Sequence, residues 1–247
     1  MGLWQKWLDF RQGRQEKSIA KYTKVIKNPK AMKEDRWAAL EYFKGLDDAP
    51  VSTESLLQRF EYSLEHGIND TREKDIAMEG ITRHGQKSLP TIENHLKKTS
   101  RIAWPIKALA AIADEQKIVA ILLGLLNFGD ISFDRDLVDK NYDVLCYLRD
   151  YKFSGAAERL GHFLKDPDER VRFAAVEVLV EQDDKEIPSI VEHFLADESA
   201  ENRRIRRSVI DAFVKHGWQL KNPDRFATGV VDQGIFVNKK GTLEQRV

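Results

Sequence analysis

The stretch GAAERLGHFLKDPDERVRFAAVEVLVEQ, residues 155–182, decides the fold. Ala156, Ala157, Leu160, Phe163 and Leu164 recur at helical spacing and share one face. Asp166-Pro167-Asp168 follows. Pro167 cannot continue a helix, and Asp168 suits the start of the next one. Val171, Ala174, Ala175, Val178 and Leu179 then give a second helix its apolar face. Two helices this short cannot bury their apolar faces alone, whereas stacked copies can.

The same layout returns in both directions. Second helices are expected to start near Glu34, Thr71, Ser100, Asp134, Asp168 and Ala200. First helices are expected near 18–28, 53–65, 87–97, 115–127, 155–165 and 186–196. The fold class is therefore all-α, with about six helix pairs over residues 18–217; the competing reading is a non-repeating helical bundle. His66-Gly67, His84-Gly85 and His216-Gly217 each read as a helix end, with Gly in the left-handed conformation past the last turn.

The run from Asp166 to Ala175 resembles the HEAT-repeat motif, including the short kind found in phycobilisome lyases. The resemblance implies an armadillo-like, right-handed α-solenoid whose second helices line a concave face. It also implies a structural ladder of turn Asp and helix Arg, here Asp168 and Arg172, with Arg36, Lys74 and Arg206 matching Arg172. Trp104-Pro105 and Asn141-Tyr142 depart from the pattern at small-residue positions in the third and fourth repeats. The resemblance covers 18–217 and bears on fold; such repeats serve many unrelated tasks.

Charge is unevenly placed. Residues 1–33 hold nine Lys/Arg against Asp9 and Glu16, a net +7. Residues 201–247 hold ten basic against five acidic residues, a net +5. Since the whole chain is neutral, the middle carries −12, which argues against a chain-long groove for nucleic acid. Cys146 is the one cysteine, so no internal disulfide forms, as suits a reducing compartment. The N-terminus has no apolar run of signal-peptide length, and no stretch is long enough to span a bilayer. A cytoplasmic protein is expected.

Four features could carry function. With the second helices in register, Glu41, Glu79, Glu177 and Asp211 share one column, with Lys107 in the third repeat. That column reads as solvated surface or as an acidic stripe for a basic protein or peptide. Residues 1–17 form an amphipathic helix with Trp4, Trp7, Leu3 and Leu8 on one face and basic neighbours. It either caps the first repeat or anchors a partner or an anionic membrane surface. Arg203, Arg204 and Arg207 crowd a helix start, where cations are mildly unfavourable, which points to an anionic partner or a contact with the tail. The tail, 218–247, is β-leaning, with Asn238–Gly241 as the turn of a β-hairpin.

There is no H-E-x-x-H, C-x-x-C, G-x-S-x-G, P-loop or dinucleotide glycine motif. No catalytic residue, metal site or cofactor is expected. Asp130, Asp134 and Asp136 do not match an EF-hand and read as caps for the fourth repeat's second helix. The leading expectation is a non-catalytic protein-binding scaffold, and the alternative is a nucleic-acid-binding HEAT protein. Two enzymatic readings follow from the resemblance alone. One is a bilin lyase. The other is an alkylpurine DNA glycosylase, some of which are HEAT solenoids with concave tryptophans, as Trp37 and Trp104 could be. No basic track is apparent around those two tryptophans in the sequence.

Overall fold

The computed structural model describes residues 3–129, 133–226 and 230–245, with side chains described from residue 12 onward. The chain divides into two compact units, Met1–Ile121 and Leu122–Val247.

The first unit begins with α1 (Leu3–Ile26), so the expected segments 1–17 and 18–28 form one continuous helix. It continues through α2 (Lys33–Gly45), α3 (Ala49–Leu57), α4 (Gly67–Arg83), α5 (Leu89–Lys98) and α6 (Ala103–Ile112). α7 (Glu115–Leu125) runs across the division between the units. Local chemistry explains the starts. Asp48 accepts a hydrogen bond from the Val51 N–H and Pro50 sits in the first turn of α3; Asp114 accepts from the Lys117 N–H at the start of α7. The helices alternate between two layers: α1, α3 and α5 pack along one, and α2, α4 and α6 along the other. Leu40, Phe43, Leu56, Ile81, Ile92 and Leu109 are fully buried between them. Each such side chain contributes about 1.5–3 kcal/mol. Gly80 lets α4 approach α2 closely, since a Cβ there would lie 3.2 Å from the Lys44 Cα.

The second unit repeats the alternation. α8 (Arg135–Leu148), α10 (Glu169–Leu179) and α12 (Arg203–His216) pack in one layer; α9 (Ala156–Leu160) and α11 (Ile187–Val191) pack in the other. The last two are short because each tightens into a 3-10 turn, over Gly161–Lys165 and Glu192–Ala196. Asp168 caps α10 and Asp134 caps α8, as their sequence context suggests; Asp130 lies outside the described residues. The tail is a three-stranded antiparallel sheet, β1 (Val230–Asp232), β2 (Ile235–Val237) and β3 (Leu243–Gln245), rather than the expected two-stranded hairpin. Gly234 and Gly241, both with φ of 75°, make its two turns, the second being the expected Asn238–Gly241. A lone hairpin would be marginal in water. Here β3 packs on α12, and Leu220, Val231, Ile235 and Leu243 are buried.

Three local expectations need correction. His66-Gly67 opens α4 instead of closing the preceding helix, because a 3-10 turn at Gln58–Glu61 has already ended that helix. α6 and α12 each begin three residues later than expected, and α4 begins four residues earlier than expected. The Arg172 guanidinium does not engage the Asp168 side chain. It donates to the Asp166 and Pro167 carbonyls of its own turn and reaches Asn202 and Glu201 of the next pair.

The arginines at this position do form inter-pair links. Arg36 reaches Glu73 on α4, and Arg206 reaches Asp232 and the Val231 carbonyl of the sheet, which takes the place of a further helix pair. Lys74 instead turns back to Asp70, at 2.6 Å.

This charge network makes stability pH-dependent. Burial pushes Asp70 up, but hydrogen bonds from Lys74, Arg59 and the Leu64 N–H outweigh it and hold the carboxyl below its usual range. Asp168 is also held low, chiefly by Arg170. A carboxylate depressed in the folded state stabilises above its unfolded pKa of about 3.9, and that contribution is lost as pH falls through the folded value. The urea midpoint is therefore expected to drop below about pH 4, and Asp70→Asn should flatten that drop. An unchanged acid limb in Asp70→Asn would remove Asp70 from this account.

Candidate functional site

Five residues singled out from the sequence meet in one place. α10 and α12 pack side by side and bury Val171, Ala175, Val178, Ile205, Val209 and Phe213. Their other faces line an open groove of about 830 Å³ that includes Glu177, Arg203, Arg204, Arg207 and Asp211. α10 is fixed at its start by the Asp168 cap, and α12 is closed by Gly217 at φ 62°.

The charges along this groove are mostly satisfied within it. Arg204 pairs with Glu169 at 2.9 Å and lies 4.4 Å from the Phe173 ring centroid. Arg207 pairs with Asp211 at 3.1 Å, and Lys215 with Glu181 at 2.7 Å. The Lys215 hydrogen bond holds Glu181 below the usual carboxylate range. Glu177 accepts from the Ser208 hydroxyl at 2.5 Å. Exposed pairs of this kind contribute about 0–1 kcal/mol, so a ligand can displace them at small cost. Among the described residues Arg203 has no ion-pair partner. Phe173, Val180 and Ala212 supply an apolar strip along the groove.

In the first unit Glu79 and Glu41 flank Lys44. The Glu79 hydrogen bond raises the Lys44 pKa. Arg83 donates to the Lys44 carbonyl and pairs with Asp47, both within 2.7 Å. Asp211 thus pairs with Arg207, Glu41 and Glu79 share Lys44, and Glu177 meets the neutral Ser208 hydroxyl, so these four carboxylates are not a bare acidic stripe. Lys107 lies over the Trp104 ring, 4.6 Å from its centroid. The side chains of Trp4 and Trp7 lie outside the described residues.

Cations surround the two tryptophans of α2 and α6, a placement that sequence reading missed. Lys33 and Arg72 flank Trp37 at 4.7 and 5.1 Å from the ring centroid; Lys74 and Lys107 approach Trp104, which stacks on Phe60. Arg72, Arg170 and Arg204 each stand two residues before a ladder position, and each lies over an aromatic of the preceding helix pair: Trp37, Tyr142 and Phe173. The spacing was visible in the sequence. The partners were not, because each contact joins residues about 28 to 35 positions apart.

The remaining titratable groups have local roles. His95 lies 2.8 Å from Glu61, and His193 Nδ1 lies 2.9 Å from the Ile190 carbonyl. Cys146 is half-buried, and burial pushes its thiol pKa up. Among the described residues no group of three or more His, Cys, Asp or Glu is placed to hold a metal ion, and no helix is long and apolar enough to cross a membrane. Comparison of the chain with protein-family models, curated proteins and solved structures finds no match.

Proposed function

We propose that this chain is a non-catalytic protein-binding scaffold, built as a HEAT-like α-solenoid, that seats a polypeptide segment of a partner in the groove between α10 and α12. One observation carries the reading: an open groove of about 830 Å³ gathers Glu177, Asp211, Arg203, Arg204 and Arg207 around an apolar strip. Concave surfaces that pair apolar lining with a few fixed polar groups are the usual form of a binding site. The alternating layers of helices within each unit support the HEAT-like reading. Because Asp211 and Glu181 already pair with cations while Arg203 has no ion-pair partner among the described residues, the segment it suits has mixed charge and an apolar side chain for Phe173, rather than being simply basic. A reducing, cytoplasmic setting belongs to the same proposal.

The test is capture of partner proteins from native extract on the full chain, compared with a groove variant carrying Arg203→Glu, Glu177→Lys and Asp211→Lys. A partner seated in the groove should be retained about tenfold less by the variant, a loss of about 1.4 kcal/mol. Full retention of every partner by a folded variant would sink the proposal.

A second reading, binding to nucleic acid, has its own support. Lys17, Lys21, Lys24, Lys27, Lys30 and Lys33 are all exposed, and none has a carboxylate partner among the described residues. Duplex and single-strand binding that weakens steeply with salt would favour it over the first.

A further inference from the structure

The first unit holds a second concavity, a cleft of about 440 Å³ between the turn before α2 and the turn before α4. Lys30 and Lys33 line it from one side, and Ser63, Glu65, His66 and Asn69 from the other. We propose that this cleft binds a phosphate monoester dianion.

The two turns are clamped by one buried network. Arg36 donates to the Pro29 and Ala31 carbonyls of the first turn and pairs with Glu73 at 2.9 Å. Glu73 also takes Arg59 at 2.7 Å. Arg59 donates to the Tyr62 carbonyl of the second turn, and Asp70 accepts from Arg59 and from the Leu64 N–H. Both walls of the cleft are therefore held by side chains that are themselves nearly inaccessible: Arg36 is 6% exposed, Arg59 and Glu73 0%. A site fixed in advance loses little freedom on binding.

The groups facing the cleft are the ones the protein leaves unused. Among the described residues, the side chains of Lys30, Ser63, His66 and Asn69 have no hydrogen-bond or ion-pair partner, and Lys33 lies only over the Trp37 ring. Together they offer ammonium, hydroxyl, amide and imidazole donors from two walls. A tetrahedral phosphate presents acceptor oxygens out of any single plane and so can meet donors from both walls, whereas a carboxylate's acceptor sites lie near one plane. The charge of the lining agrees. Lys30, Lys33 and Arg36 line the cleft against one carboxylate, Glu65. A monoester carries roughly −1.5 to −2 at neutral pH, the sign this lining favours.

The experiment titrates inorganic phosphate into the isotope-labelled full chain at constant ionic strength, with chloride as the balancing salt, and follows backbone amides by NMR. Saturable shifts confined to residues 29–33 and 63–69 are expected. Lys30→Gln with Lys33→Gln should weaken binding about tenfold or more. Ser63→Asp, which adds a negative charge to the wall, should abolish it. Lys239→Gln with Lys240→Gln, in the sheet turn, should change nothing. Circular dichroism verifies that each variant is folded, and Ser63→Asp decides the matter if the lysine pair is not. Shifts that never saturate, that spread over the basic surface, or that survive in Ser63→Asp would overturn the assignment. So would tighter binding at these amides by an oligonucleotide with no terminal phosphate, which would make the site one for a phosphodiester strand.

Discussion

Glu73→Ala is expected to destabilise the first unit by about 3–5 kcal/mol. Glu73 is fully buried and bonds both oxygens to Arg36 and one to Arg59. Its removal leaves Arg36 with carbonyl acceptors alone and Arg59 with Asp70, two cations that shared one carboxylate with little water to screen them. The loss is larger than the worth of the pairing itself, because desolvation of the Arg36 cation is no longer offset by a carboxylate. Urea unfolding followed by circular dichroism measures it. A neutral replacement of the whole group, Arg36→Met, Arg59→Met and Glu73→Leu, should recover most of the loss. A cost below about 1 kcal/mol for Glu73→Ala would mean the arginines find other acceptors. It would also weaken the picture of two turns clamped from beneath.

In the second unit the largest expected effect is Phe213→Ala, again about 3–5 kcal/mol. Phe213 is fully buried on α12, and its ring meets Trp218 edge to face at 5.3 Å. Its carbonyl accepts from the Gly217 and Trp218 N–H groups, where the chain leaves the helix for the sheet. The substitution opens a cavity and loosens the start of the tail together. Hydrogen exchange of the amides of residues 230–245 should therefore quicken along with the fall in the urea midpoint. If the midpoint falls while exchange in the sheet stays as slow as before, the sheet does not depend on this contact.

The helices were readable wherever local chemistry repeats. The Asp166-Pro167-Asp168 turn, the Asp134 cap and the His216-Gly217 stop each sit where the sequence placed them. The failures are equally local in origin. His66-Gly67 has the composition of a helix end but works as a beginning, since Asp70 draws the Leu64 N–H and Arg59 into the turn before it. The tail read as one hairpin because a strand of three residues, Val230–Asp232, shows its β-leaning composition in the sequence but not that it pairs with β2.

The candidate site divides along the same line. Residue types, their spacing and the register of the Glu41, Glu79, Glu177 and Asp211 column follow from the sequence. Its electrical character does not. Lys44 with Glu79, Arg204 with Glu169 and Glu73 with two arginines join residues 14 to 37 positions apart. Helical periodicity is set by hydrogen bonds within one turn, so it is written in every short window of sequence. Which charge meets which depends on how successive helix pairs pack, and coulombic coupling falls with distance in space rather than along the chain. The sequence by itself determined the helices, their caps and their apolar faces. Only the tertiary structure decided which of those carboxylates meet a cation, and that Lys30, Lys33 and Arg203 are among the cations left over.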